Sequence, residues 1–218
     1  MRTAMDGHRT PRPDTAQLLA DALGVPVTDL WPFTGVRPGL DAPTVVSRVF
    51  PARTEIPSAM WREVFTNTRE RIDVLVYGGT FLFDAVPQFT RIIDDAAARG
   101  VRIRFAVGDP ASAAVHARGV EEGIGLALAA RCQMTLTRLI PVARLDGVEV
   151  RMHGTPLYTS MFFADDAVYA NHHIYRQPAG DNPVFELTRD AHETLFGKYA
   201  DTFEHVWATG TPVVPHPH

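Results

Sequence analysis

The sequence predicts an α/β fold, a mixed sheet flanked by helices. Residues 72–77 (IDVLVY) form a short apolar, β-branched run, the mark of a strand buried on both faces. A Gly-Gly-Thr turn follows, then an amphipathic helix over 84–99 closed by Gly100, then a second such run over 101–107 (VRIRFAV). That order is a βαβ unit, whose two strands should lie side by side and parallel. Further on, residues 148–186 read as strand, turn, strand, turn, strand. Val148, Val150 and Met152 alternate with Glu149, Arg151 and His153; residues 160–163 are mostly apolar, Asp165-Asp166 supplies a turn, and 167–175 returns rich in Val, Ile and Tyr. The strands around Met161 and Val168 should therefore pair antiparallel.

Composition narrows the function. At 218 residues the chain suits one sizeable domain with a small appendage, and 45% hydrophobic against 21% charged content supports a real core. A net charge of -4 gives no global electrostatic case for nucleic acid or membrane. One cysteine, Cys132, cannot make an internal disulfide. The first residues lack the apolar stretch of a signal peptide and no window approaches a membrane span, so a cytoplasmic location is expected. His153, His172 and His173 have no zinc-ligand spacing and Cys132 adds no pair, so neither a metal nor another cofactor is expected.

Taken in order, residues 10–32 read as a small helical unit. Pro13-Asp14-Thr15 gives start signals, Leu18, Leu19, Ala22 and Leu23 recur at helical spacing, Gly24 stops the helix, and Thr28 opens a last turn carrying Leu30 and Trp31. Residues 34–57 are linker-like, with Pro38, Pro43, Pro51 and Pro57; within them 45–50 suits a short extended segment. Residues 58–71 read as a helix with Ser58 as N-cap and Trp61, Val64 and Phe65 on one face. The helix over 84–99 should turn Val86, Phe89, Ile92, Ile93 and Ala96 inward. The stretch 111–134 is Ala-rich and helical, and Gly119, Gly123 and Gly125 interrupt it. Their order fits no phosphate-binding loop, so they read as a helix break or hinge. Residues 136–142 suit either a helix or a strand. A long amphipathic helix over 188–207 presents Leu195, Tyr199, Phe203, Val206 and Trp207 on one face. The α/β domain should run over 58–212, with a tail at 213–218.

Two stretches resemble known families. Residues 7–31, GHRTPRPDTAQLLADALGVPVTDLW, resemble the end of a Cro/C1-type (XRE) helix-turn-helix domain, in which a Gly/Arg/Pro connection precedes a helix ending in a LADALGV-like run. The likeness covers about the last third of such a domain. It implies that the helices entering the major groove would lie before Met1, and that DNA is a partner only where they are present.

The order over 58–207 resembles the phospholipase D superfamily, whose motif is H-x-K-(x4)-D, then G-S-x-N, then a Glu about a dozen residues later. Aligned without gaps, Asp165 and Glu186 fall on the acidic positions. The His and Lys positions hold Tyr158 and Ser160, the Gly-Ser pair is His172-His173, and Tyr175 stands at the Asn. The resemblance implies a mechanism with an imidazole nucleophile and Lys and Asn donors for phosphate oxygens. Tyr158, a phenol, is a weak nucleophile at neutral pH, and Ser160 carries no charge. A single half-motif also implies a homodimer across a two-fold axis.

From the residues themselves, ligand crevices in such sheets lie at the carboxyl ends of the strands, placing Thr80 and Asp109 at the mouth. Strand alternation would put Tyr158 and Ser160 on one face, with His173 and Tyr175 of the partner strand presented to that same side. The expected site is thus a pocket of Tyr158, Ser160, His173, Tyr175 and Glu186, with Thr80 and Asp109 near its mouth, binding a small polar ligand without a catalytic residue. The expected function is the sensing or dimerising part of an XRE-type transcriptional regulator with a degenerate phospholipase D-like domain. A phosphodiesterase or nuclease with a rearranged His/Tyr/Ser site, and a pure dimerisation module, stand beside it.

Overall fold

The buried runs of the sequence assemble into one eight-stranded mixed sheet with helices on both faces. This is a computed structural model describing residues 13–25, 46–189 and 194–214, and the chain divides into two compact units, Met1–Pro43 and Thr44–His218. In the first unit, α1 (Pro13–Leu23) is closed by Gly24 at φ 65°, as its sequence predicts. The turn expected at Thr28 to Trp31 lies outside the described residues.

The second unit opens with β1 (Val46–Phe50), a single helical turn (Arg53–Glu55), α2 (Ser58–Asn67) and β2 (Arg71–Val76). Then come α3 (Phe81–Ala85), α4 (Phe89–Ala98), β3 (Arg102–Gly108), α5 (Ala113–Glu121) and α6 (Ala127–Leu139). It continues with β4 (Val148–His153), β5 (Thr159–Ala164), β6 (Ala167–His172), β7 (Val184–Thr188), α7 (Thr194–Thr209) and the short β8 (Thr211–Pro212). The strand order is β1-β7-β6-β5-β2-β3-β4-β8. As the βαβ pattern predicts, β2 and β3 are parallel, with Val74 opposite Phe105; β4 continues that parallel block. On the other side β2 pairs antiparallel with β5, and β5 with β6, Phe163 standing opposite Val168.

Alternation along these strands makes two apolar faces. On one, Phe162 and Tyr169 pack against Trp61 of α2, and Phe105 against Phe89 of α4. On the other, Phe163 meets Phe196 and Phe203 of α7 in edge-to-face contacts. Each such aromatic pair adds roughly 0.5–1.5 kcal/mol beyond its area burial.

Several boundaries differ from the sequence reading. Residues 46–55 belong to the sheet unit rather than to a linker: β1 is an edge strand paired with β7, and its part-exposed positions leave no alternating signature. The helix expected over 84–99 is two helices. Pro87 drives Val86 out of the helical region, to φ -106° and ψ 103°, and Gln88 takes φ 59°. The predicted inward residues are nonetheless buried. Ser58 is the first helical residue and does not cap; Pro57 holds that position. The glycine-marked break falls between α5 and α6, and residues 136–142 continue α6 into a short turn at Val142–Arg144. Thr188 closes β7 instead of opening a helix.

Asp165 has a structural task. At φ 50° in the β5–β6 turn, its carboxylate accepts from the N–H groups of Arg69 (2.9 Å), Glu70 (2.8 Å) and Arg71 (3.1 Å), tying the turn to the start of β2. Burial alone would raise its pKa; the three N–H donors and the Arg71 guanidinium outweigh that and hold it below the ordinary value. A depressed carboxyl stabilises the fold above the unfolded pKa, and the stabilisation is lost as pH falls through the folded value. Asp165→Ala is therefore expected to lower stability by about 2–3 kcal/mol in urea titration at pH 7, a gap that narrows below about pH 4. A cost within about 0.5 kcal/mol at pH 7, the level of an ordinary surface change, would mean that Asp165 is only a solvated turn residue.

Candidate functional site

The chain turns sharply after β2 because Gly79 adopts φ 71°, where a Cβ would stand 2.8 Å from Val76 Cγ2. This turn forms one wall of a narrow crevice of about 60 Å³. Ser160, at the start of β5, and His173, just past the end of β6, form the facing wall. Arg53 enters from the helical turn after β1, and Glu122 and Arg131 from the α5–α6 corner.

The chemistry centres on His173. Its Nδ1 lies 3.1 Å from the Leu157 carbonyl, which can only accept, so Nδ1 carries the hydrogen. Nε2 is then free to accept from the Ser160 hydroxyl at 3.0 Å. The Tyr77 ring stacks on the imidazole, with centroids 5.8 Å apart and planes 24° from parallel, and the Tyr77 hydroxyl accepts from the Leu157 N–H at 2.7 Å. Burial, reinforced by Arg118 and opposed by the Leu157 hydrogen bond, pushes the His173 pKa down to about 4. The ring is neutral at pH 7, with its tautomer fixed.

Charged groups of both signs surround the crevice. Glu122 is the one carboxylate on the crevice wall, and it accepts from Arg118 Nε at 2.8 Å. Arg118 also pairs with Glu121 and donates to the Gln177 carbonyl. Arg53 stacks 4.0 Å over the Phe81 ring and donates to Asn171 Oδ1 at 3.3 Å. Among the described residues neither Arg53 nor Arg131 forms an ion pair. Burial lowers the Arg53 pKa to about 10, a shift that Glu122 opposes. Two guanidiniums thus border the crevice without a carboxylate in contact, Arg53 being balanced only at longer range by Glu122 and Asp181.

Of the residues predicted for the site, Thr80, Ser160 and His173 come together here. Tyr158 and Tyr175 do not line the crevice. They are 83% and 74% exposed and border an adjoining cleft of about 320 Å³. The alternation argument fails because β5 begins at Thr159 and β6 ends at His172. The ladder closes with the His173 N–H on the Tyr158 carbonyl, and the tyrosine side chains beyond it are no longer held to a strand face. Asp109 is a turn residue whose carboxylate accepts from the Ala111 N–H at 2.9 Å. Glu186 sits on β7 with Arg48 at 3.4 Å and the Tyr169 hydroxyl at 3.2 Å. Neither lines the crevice or the cleft. His172 points away, its Nε2 2.8 Å from the Tyr199 hydroxyl, and the buried His153 donates to the Val76 carbonyl at 3.0 Å. Sequence reasoning missed Arg53, Tyr77, Glu122 and Arg131. They come from separate elements, and no spacing joins them. Among the described residues no group of three or more His, Cys, Asp or Glu could hold a metal ion, and no helix is long and apolar enough to cross a membrane.

No protein-family model and no curated protein matches the sequence. Solved structures do resemble it. TrmBL2, an archaeal chromatin protein with a novel mode of DNA binding, is 15% identical with a TM-score of 0.51; the likeness covers 91% of this chain but spans only 64% of that one. Nuc from Salmonella typhimurium, a phospholipase D family member, is 13% identical with a TM-score of 0.42 over 71% of this chain and 89% of that one. Phosphatidylserine synthase from Haemophilus influenzae Rd KW20 is 13% identical with a TM-score of 0.49 over 72% and 36%. At these identities the likeness is one of fold alone.

Proposed function

We propose that the unit over 44–218 is the ligand-sensing, homodimeric part of a cytoplasmic XRE-type transcriptional regulator. On this reading its phospholipase D-like site holds a small anion and no longer cuts phosphodiesters. The observation that carries the reading is Arg53, a partly buried guanidinium without a carboxylate partner, beside the equally unpaired Arg131 at the crevice mouth. A partly buried guanidinium held by one amide oxygen and by the longer-range fields of Glu122 and Asp181 carries a desolvation cost that a bound anion would lower.

The same geometry argues against turnover. Displacement at phosphorus by imidazole needs a free nitrogen and a second group as acid. The His173 nitrogens are both engaged, and no second imidazole lines the crevice. The chain's one lysine, Lys198, borders a different groove, against α7. Titration of the full chain with inorganic phosphate by calorimetry should give saturable binding that Arg53→Ala weakens at least tenfold, about 1.4 kcal/mol. Binding unchanged by that substitution would refute the reading.

The Ser160–His173 hydrogen bond favours one alternative, a hydrolase in which neutral His173 takes the Ser160 proton. Hydrolysis of bis-p-nitrophenyl phosphate, abolished by His173→Ala, would establish it.

A further inference from the structure

The crevice and the adjoining cleft share two lining residues, Tyr77 and His173, so they adjoin at that stacked ring pair as an inner and an outer space of very different widths. The inner part, about 60 Å³, admits a tetrahedral oxyanion but no ring. The outer part, about 320 Å³, falls within the range of small-molecule sites. Its walls are unlike the crevice walls: Ala114 and Ala117 of α5, Pro156 and Leu157, and the rings of Tyr158 and Tyr175. These tyrosines stand on separate segments, one before β5 and one after β6, and both are left largely in solvent at the mouth of the same cleft. Exposed aromatic rings beside an anion site form a stacking surface for a flat ring. Resting on the anion-binding reading above, we infer that the ligand is a phosphomonoester of a flat aromatic or heteroaromatic ring. The phosphate lies between Arg53 and Arg131, and the ring lies in the cleft against Tyr158 and Tyr175.

A sugar phosphate would fill the crevice equally well but would leave both tyrosines without a contact that needs them. Glu121, on the cleft wall, keeps carboxylate lone pairs beyond its pairing with Arg118 and can accept from a ring amino group.

The test is calorimetry on the full chain with four probes: inorganic phosphate, ribose 5-phosphate, phenyl phosphate and AMP. At least one ring-bearing probe should bind ten times more tightly than ribose 5-phosphate or more. Tyr158→Ala and Tyr175→Ala, both at exposed positions and so harmless to the fold, should each remove at least fivefold of that preference without changing phosphate affinity. If phosphate and ribose 5-phosphate bind in an Arg53-dependent way but neither ring-bearing probe is preferred, or the tyrosine variants leave the preference intact, the ring inference is wrong and the anion reading stands. If none of the four binds, both are overturned.

Discussion

Arg104→Leu is expected to destabilise the sheet unit by about 3–5 kcal/mol, the cost of removing one partner from a buried ion pair. Arg104 of β3 and Asp73 of β2 are register neighbours on the face covered by α7. Their side chains are 8% and 1% exposed, and the contact is bidentate, Nε and Nη2 to the carboxylate at 2.7 and 2.9 Å. The same guanidinium receives Glu204 from α7 at 2.7 Å and stacks over Phe203 and Trp207, so it joins two strands to the helix. Burial works against the Arg104 charge, but the hydrogen bonds to Asp73 and Glu204 more than offset it, so its pKa is raised. Without Arg104, Asp73 keeps only Arg71, at 3.7 Å. Guanidinium denaturation of Arg104→Leu measures the loss. The pair Asp73→Leu with Arg104→Leu should cost less than the two single changes summed, because neither member of the bidentate pair is then left buried without the other. A loss below about 1 kcal/mol for the single change would put the contact among ordinary surface pairs.

The parts of this fold legible in the sequence are those that local pattern specifies. Residues 72–77 and 101–107 announce central strands because both their faces are buried, and Asp165-Asp166 announces a turn by its chemistry. Edge strand β1 was only partly legible, since residues 46–50 sit among prolines and present no apolar face. The crevice was half legible. Thr80 follows from the rule for strand ends, and Ser160 and His173 from the motif spacing. Arg53 and Arg131 were not, because a residue's distance in sequence says nothing of which helix corner meets which strand end. Tyr158 and Tyr175 were expected on the crevice wall because period-2 alternation was extended past the strand ends by one residue in one case and three in the other.

The α5–α6 corner ties stability to the site, and Gly119→Ala should expose that link. Gly119 lies in α5, and the carbonyl of Gly125 rests against it so closely that an added Cβ would fall far inside van der Waals contact with backbone atoms. The Gly119 carbonyl in turn accepts from the N–H groups of Ile124 (3.0 Å) and Gly125 (2.8 Å). Backbone cannot swing aside as a flexible side chain can, so α6 must move. We expect a loss of about 2–4 kcal/mol. Because this corner fixes Glu122 and Arg131 at the crevice, phosphate affinity should fall with it. Gly123→Ala is the control. Gly123 has φ 73° but open space around its Cβ position, so the substitution carries only the conformational cost of about 1 kcal/mol and should leave phosphate binding unchanged. Urea midpoints and calorimetric affinities of the two variants separate the effects. A Gly119→Ala protein with wild-type stability and wild-type phosphate affinity would show that the corner does not position the site.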